Sequence, residues 1–199
     1  MTVVRHEQVV LEANADAAQD FYAAVMGWSC SAMPGGLDRD YRILSTPRGV
    51  GVGGVMQVPG RKPVWSVYFG VDDVDAATGK VVDLGGTVHI APQDIPGVGR
   101  FAYVADPQGA CFYLMQGESA GDSTAFAPDR PGHCSWNELV TSDQDAALIF
   151  YGALFGWSKA GTMPMAGMGD YTFFGPEGGP MLGAMMNAPQ TGAAPLWNF

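Results

Sequence analysis

The sequence predicts an α+β protein built from repeated βαβββ units. Two observations carry this prediction. Residues 21–29 (Phe-Tyr-Ala-Ala-Val-Met-Gly-Trp-Ser) recur 129 positions later as residues 150–158 (Phe-Tyr-Gly-Ala-Leu-Phe-Gly-Trp-Ser), with most positions identical. Each copy closes a helical pattern that one strand precedes and several short strands follow. A repeat changes the interpretation of every residue inside it.

The first unit shows the elements in order. An apolar run at 6–13 predicts a strand, and Asn14 with Asp16 supplies the side-chain oxygens that accept the unpaired amide hydrogens of a first helical turn. Apolar residues then recur at spacings of three and four, which predicts an amphipathic helix that ends at Gly27. Alternating segments at 41–44 and 50–58, separated by Pro and Gly, indicate hairpin strands.

The same order returns twice more along the chain. A second unit lacks the Phe-Tyr signature but has a strand pattern at 64–71, a helix pattern at 74–84 and strand patterns at 87–90, 101–105 and 111–116. A third unit occupies about 132–188, and Pro195-Leu196-Trp197 repeats Pro63-Val64-Trp65, which opens a fourth.

These units predict two domains. The predicted boundaries are a first domain at 1–118 with modules at 1–60 and 63–118, a polar, Pro-containing linker at 119–131, and a second domain at 132–199. Since the fourth unit stops five residues after it begins, we expect the second domain to be truncated after its first module.

Composition and charge exclude several classes of function. The 20 acidic and 10 scattered basic residues give a net charge of −10, which disfavours nucleic acid and anionic membranes as partners. No apolar run is long enough to span a membrane, and the N-terminus lacks the pattern of a signal peptide, so we expect a cytoplasmic protein. The three cysteines show no CxxC spacing, which disfavours both a disulfide framework and a thiolate zinc site.

Several motifs occur in a characteristic order: Phe-Tyr…Gly-Trp at each helix end, Val71-Asp72-Asp73-Val74, Gly85-Gly86-Thr87 and Asp106-Pro107-Gln108-Gly109-Ala110. With these motifs in this order, the chain resembles the vicinal oxygen chelate superfamily, which includes glyoxalase I, bleomycin-resistance proteins and extradiol dioxygenases. Trp136-Asn137-Glu138-Leu139 is similar to the two-domain glyoxalase-like or hydroxylase branch. The resemblance implies curled mixed sheets with helices on the convex side and a small-molecule site on the concave side.

The resemblance also implies positions for the ligands of a divalent metal. They fall on Glu7, Met56, Ser66 and Tyr113 in the first domain, and on Trp136 at the start of the second. Such a metal needs His, Glu or Gln donors, and among these residues only Glu7 is a strong candidate ligand. We therefore expect no metal or other cofactor in the first domain.

Two hypotheses follow for function. The first is a metal-free protein that binds a small apolar or aromatic molecule in a concave pocket, and its candidate binding residues are Glu7, Ser66, Tyr68, Tyr113, Trp136 and Glu138. The alternative is a lyase or oxygenase (hydroxylase) that uses a divalent metal in the second domain. If the second domain is incomplete in the whole protein, its open sheet edge also predicts a homodimer. No catalytic residue is assigned.

Overall fold

The computed structural model describes residues 6–33, 40–60, 62–118, 123–188 and 194–199, with the side chains of residues 6–8 left out. Within these ranges the chain forms thirteen strands and three helices. In chain order they are β1 (His6–Glu12), α1 (Ala15–Met26), β2 (Ser29–Ala32), β3 (Tyr41–Ser45), β4 (Gly51–Gln57), β5 (Val64–Gly70), α2 (Val74–Asp83), β6 (Thr87–Ile95), β7 (Gly99–Ala105), β8 (Cys111–Gly117), β9 (Glu138–Thr141), α3 (Gln144–Phe155), β10 (Trp157–Met165), β11 (Gly169–Pro176), β12 (Gly183–Asn187) and β13 (Leu196–Asn198).

The strands form two mixed sheets, which confirms the predicted α+β class and the βαβββ units. The first sheet has the order β2-β3-β4-β1-β5-β8-β7-β6, and the second has the order β10-β11-β12-β9-β13. The first strand of each unit pairs in parallel with the last strand of that unit, as β1 does with β4, β5 with β8 and β9 with β12. Neighbouring units join through antiparallel first strands, β1 with β5 and β9 with β13.

The predicted helix starts and stops are confirmed. The Asn14 side chain accepts a hydrogen bond from the Ala17 amide at 3.1 Å, and Asp73 and Asp143 occupy the same position before α2 and α3. Gly27 has a φ of 69°, in the left-handed region that glycine reaches without a steric penalty.

One strand is longer than the sequence predicts. The pattern ends a strand at Ile90, whereas β6 continues to Ile95 across Pro92. β6 is an edge strand of the first sheet, and its pairing with β7 shifts register between Ile90 and Gln93. Proline lacks the amide hydrogen that a central strand needs, but an edge strand with an irregular register accommodates it.

Each sheet has a helix side and an inner face. On the helix side of the first sheet, Val10 packs with Ala15 and Ala18 of α1, whereas its neighbours Val9 and Leu11 pack with aromatic residues on the inner face. The largest cluster of buried residues contains helix-side residues of the second unit together with residues of α3, β10 and β13. The two sheets therefore share one hydrophobic core, while the proposed domain boundaries stay a prediction.

In the described part of the chain, no helix has both the length and the apolar character needed to cross a membrane.

Candidate functional site

A stack of three tyrosines stands on the inner face of the first sheet. Tyr113 lies on β8 between Tyr68 of β5 and Tyr103 of β7, and it is the register partner of both. The ring centroids of Tyr68 and Tyr113 are 4.3 Å apart with an interplanar angle of 12°, and those of Tyr103 and Tyr113 are 4.5 Å apart. Neighbouring strands lie about 4.8 Å apart, so equal register on three adjacent strands places the rings face to face.

The rings of the stack differ in their exposure. Tyr113 is 5% exposed, while Tyr68 and Tyr103 are half-buried. Phe101, also half-buried, lies 6.1 Å from Tyr113, and His89 lies 5.6 Å from Tyr103 on the far side of the stack. The flanking rings thus keep part of their surface in contact with solvent. Together with the stack they form an aromatic surface on the inner face of the first sheet.

Three of the predicted site residues, Ser66, Tyr68 and Tyr113, come together here, and the backbone of a fourth, Glu7, lies beside them. Ser66, which is buried, precedes Tyr68 by two positions on β5 and therefore lies on the same face of the strand. Ser66 pairs with Val9 of β1, and the backbone of Glu7 pairs with Tyr68. The backbone of Glu7 therefore lies next to Tyr68, on the neighbouring strand β1. The side chain of Glu7 lies outside the described residues.

The first unit contributes a further tyrosine to this face. The ring of Tyr41 on β3 lies over Gly54 of β4, so closely that a side chain at position 54 would displace the ring. Tyr41 and Met56 belong to the same inner-face cluster as Val9 and Leu11. Since Gly54 pairs with Val9 across the sheet, Tyr41 extends the aromatic lining to the other side of β1.

The other two predicted site residues lie at the second sheet, where Glu138 is the first residue of β9 and Trp136 precedes it by two positions. Trp136 and Glu138 both contact Tyr171 of β11: the indole Nε1 of Trp136 donates to the Tyr171 hydroxyl at 2.9 Å, and that hydroxyl donates to Glu138 Oε2 at 2.8 Å. Phe173, two residues beyond Tyr171, packs edge-on against Trp136 at 6.0 Å. The six candidate residues therefore form two groups on two sheets.

The phenol of Tyr171 has an altered acidity. Burial raises the pKa of Tyr171, the hydrogen bond from Trp136 acts in the opposite direction, and the nearby Glu138 carboxylate raises the pKa further. Tyr171 therefore stays protonated at neutral pH and serves as a hydrogen-bond donor to Glu138. This satisfies a carboxylate that shares its surroundings with two aromatic rings.

The register confirms that the two groups are related by the repeat. Trp65 pairs with Val10, and its copy Trp197 pairs with Leu139, so Val10 corresponds to Leu139. Counting back three residues from each of these places Trp136 at the position that Glu7 holds in the first unit. Asn198 likewise takes the place of Ser66.

Sequence reasoning did not identify Tyr103 and Tyr171 as site residues. A signal for Tyr171 existed, because Asp170-Tyr171 repeats Asp40-Tyr41, and both tyrosines belong to the third strand of their unit. Tyr103 carries no comparable motif. It joins the stack only because β7 pairs with β8 in equal register.

The donor set does not fit a divalent metal. At the four ligand positions that the family resemblance implies in the first two units, the chain offers one carboxylate by residue type, at Glu7, together with a thioether, an alcohol and a phenol at Met56, Ser66 and Tyr113. Divalent ions of this class bind several carboxylate or imidazole donors. Among the residues that the structure describes, no three His, Cys, Asp or Glu side chains form a group that could hold a metal ion.

The repeated units, the strand order and the inner-face site together define a glyoxalase-like fold. The family profile described as "Glyoxalase-like domain" matches residues 8–115, and the chain belongs to this family, within the vicinal oxygen chelate superfamily.

Two relatives match much of the chain. The protein named "Putative glyoxylase CFP32" from Mycobacterium tuberculosis (strain CDC 1551 / Oshkosh) is 33% identical over 189 residues, which cover 92% of this chain and 70% of that protein. "Anthracycline biosynthesis protein DnrV" from Streptomyces peucetius is 35% identical over 162 residues, which cover 73% of this chain and 58% of that protein.

Solved structures share the fold at low sequence identity. The Mn(II)-bound glyoxalase from Novosphingobium aromaticivorans superposes with a TM-score of 0.66 at 18% identity and covers 94% of this chain, while this chain spans 62% of that one. The catechol dioxygenase BphC gives a TM-score of 0.66 at 12% identity, with coverages of 94% and 65%. At these identities the likeness concerns the fold alone.

Proposed function

We propose that this protein binds a small, planar aromatic molecule on the inner face of its first sheet. The observation that carries the proposal is the stack of Tyr68, Tyr113 and Tyr103, whose two outer rings keep part of their surface in solvent. Aromatic rings favour offset stacking on other aromatic rings, and each such pair contributes roughly 0.5–1.5 kcal/mol beyond the apolar area that it buries. A flat, apolar molecule is therefore the class of ligand that this aromatic surface binds best.

Two further features support an aromatic ligand. The inner face combines the rings of the stack with Phe101 and Tyr41, while Ser66 supplies a hydroxyl beside Tyr68. Ligand sites of this kind are mostly apolar with a few polar groups that orient the ligand. The relative DnrV is named for the biosynthesis of anthracyclines, which are polycyclic aromatic compounds.

A second candidate function rests on Glu138. This carboxylate lies on the second sheet, held by the Tyr171 hydroxyl, and it is one donor of the type that a divalent metal requires. A metal-dependent lyase or oxygenase would need further donors beside Glu138 from residues other than those the structure describes.

Replacing Tyr68 by leucine tests the proposed function. The substitution keeps an apolar side chain but removes the ring, so we expect binding of an anthracycline probe to weaken by about two- to tenfold, as for the loss of one stacked pair. Fluorescence titration at equilibrium measures the dissociation constant.

The control is Phe21→Leu, which removes an exposed ring from α1, on the helix side of the sheet, and is expected to leave binding unchanged. Equal affinity in the wild-type protein and in Tyr68→Leu would contradict the proposal. Weakened binding in Trp136→Leu alone would assign the ligand to the second sheet instead.

A further inference from the structure

Three aromatic side chains surround Glu138 at the second sheet. The ring centroids of Trp136 and Phe173 are 6.0 Å apart with an interplanar angle of 75°, and those of Tyr171 and Phe173 are 5.6 Å apart at 90°. All three residues are half-buried, so the rings keep part of their surface in solvent. Because Phe173 is steeply inclined to both of the other rings, the group does not form a flat stack. We refer to Trp136, Tyr171 and Phe173 as the aromatic cage.

The strand register places the cage and the carboxylate on the same side of the sheet. Phe173 of β11 pairs with Ala184 of β12, and Ala184 pairs in turn with Glu138 of β9. The chain neighbours Phe174 and Leu139 are fully buried in the core on the helix side. Since successive side chains of a strand alternate between the two faces, Phe173 and Glu138 lie on the inner face.

The polar atoms of the cage are already used within the group. Trp136 Nε1 donates its hydrogen to the Tyr171 hydroxyl, and this hydroxyl donates its own hydrogen to Glu138 Oε2. The two bonds hold the carboxylate in place against the rings. They also leave the cage without a further N–H or O–H donor, so the cage offers a ligand the surfaces of its rings.

The described part of the chain does not neutralise the charge of Glu138. The ion pairs between described residues are those of Arg42 and Arg100, and none includes Glu138. No described residue donates a hydrogen bond to the second carboxylate oxygen, Oε1. A half-buried carboxylate beside apolar rings gains most from a partner of opposite charge.

We propose that the aromatic cage and Glu138 form a second binding site, which takes a small organic cation with a methylated ammonium group. The faces of Trp, Tyr and Phe rings attract such a group through their negative potential, while its methyl groups make apolar contacts with the rings. Glu138 supplies the opposite charge at the edge of the cage. A divalent metal ion fits less well, because the cage adds no anionic or imidazole donor to this single carboxylate.

Choline and its neutral isostere 3,3-dimethylbutan-1-ol test the proposal, because the two compounds are alike in shape and differ in charge. We expect the EDTA-treated protein to bind choline about tenfold more tightly than the isostere, since only choline has a cation for the rings and the carboxylate. Titration followed by NMR spectroscopy measures both dissociation constants. Equal affinities, or binding of neither compound, would overturn the proposal.

Glu138→Gln tests the role of the charge. Glutamine keeps an oxygen that can accept the hydrogen bond of Tyr171, and we expect the affinity for choline to fall about tenfold, toward that of the isostere. Glu177→Gln is the matched control: it makes the same change of charge at an exposed position after β11 and is expected to leave choline binding as it is. Phe173→Leu removes one ring of the cage and is expected to weaken choline binding several-fold.

Three further results count against the proposal. Choline binding that is equally strong in Glu138→Gln would show that the carboxylate does not hold the cation. Binding that Tyr68→Leu weakens and Glu138→Gln preserves would place the cation on the tyrosine stack instead. Binding that requires added Mn²⁺ or Zn²⁺ would make Glu138 a metal ligand. The anthracycline titration measures the site on the first sheet separately, so either proposal can fail without the other.

Discussion

Phe69→Ala is expected to lower the free energy of unfolding by about 3–5 kcal/mol, the range observed when a buried phenylalanine is truncated. Phe69 is fully buried on β5. Its ring lies within 5.5 Å of the rings of Phe112, Phe155, Trp157 and Trp197, the last three of which belong to α3, β10 and β13. The substitution thus leaves a cavity at the point where the two sheets share their core.

Chemical denaturation followed by tryptophan fluorescence measures this loss. Phe21→Ala is the matched control: it removes the same side chain from a position that is 59% exposed, and we expect it to cost less than about 1 kcal/mol. Equal losses for the two variants would contradict the shared core. A Phe69→Ala effect confined to one of two separate unfolding transitions would contradict it as well.

Asp106→Ala is expected to lower the free energy of unfolding by about 3 kcal/mol, because it leaves buried hydrogen-bond donors without an acceptor. Asp106 is 2% exposed. Its Oδ1 accepts hydrogen bonds from the amides of Gln108 and Ala110 at 3.0 and 2.9 Å, and its Oδ2 accepts one from the Tyr151 hydroxyl at 2.9 Å. Trp197 Nε1 in turn donates to the Tyr151 oxygen at 3.1 Å.

The same carboxylate makes stability depend on pH. Burial raises the pKa of Asp106, against the opposing effect of its hydrogen bonds. A raised pKa means that the folded state binds more protons than the unfolded state between the two pKa values. The contribution of Asp106 to stability is therefore greatest below the pKa of an unfolded aspartate, about 4, and decreases as the pH rises through the folded pKa.

Asp106→Asn isolates this effect, since the amide has the same shape and does not titrate. We expect the free energy of unfolding of the wild-type protein, relative to that of Asp106→Asn, to fall as the pH rises from about 4 to 7. Urea denaturation of both proteins across this range measures the difference. A difference that stays constant with pH would contradict the assignment.

Much of the fold could be predicted because its signals are local. The helix starts at Asn14, Asp73 and Asp143 follow from side chains that bond to amides two or three residues away, and the left-handed cap at Gly27 depends on that residue alone. The repeat added long-range information, since it aligned Trp136 with Glu7 before the strand register confirmed the alignment. β6 was predicted too short because Pro92 is a strand breaker everywhere except at an edge, and edge position is a property of the whole sheet.

The candidate site was less predictable because its contacts join distant strands. Tyr68 and Tyr113 could be selected as inner-face residues of their strands, but the stack also needs Tyr103, which reaches it through the pairing of β7 with β8. Tyr171 bonds to Glu138 across 33 residues of sequence, and no spacing rule connects them. Helix α1 shows the same limit: the spacing of Phe21 and Val25 matches that of a buried helix face, yet both side chains are exposed.

The most direct test of the central claim is an equilibrium titration of the purified protein with an anthracycline, before and after treatment with EDTA. If the tyrosine stack on the inner face binds a planar aromatic ligand without a metal, the dissociation constant will be the same in both titrations and will rise in Tyr68→Leu. Binding that EDTA abolishes and that Mn²⁺, Fe²⁺, Ni²⁺ or Zn²⁺ restores would contradict the claim. It would favour the metal-dependent alternative.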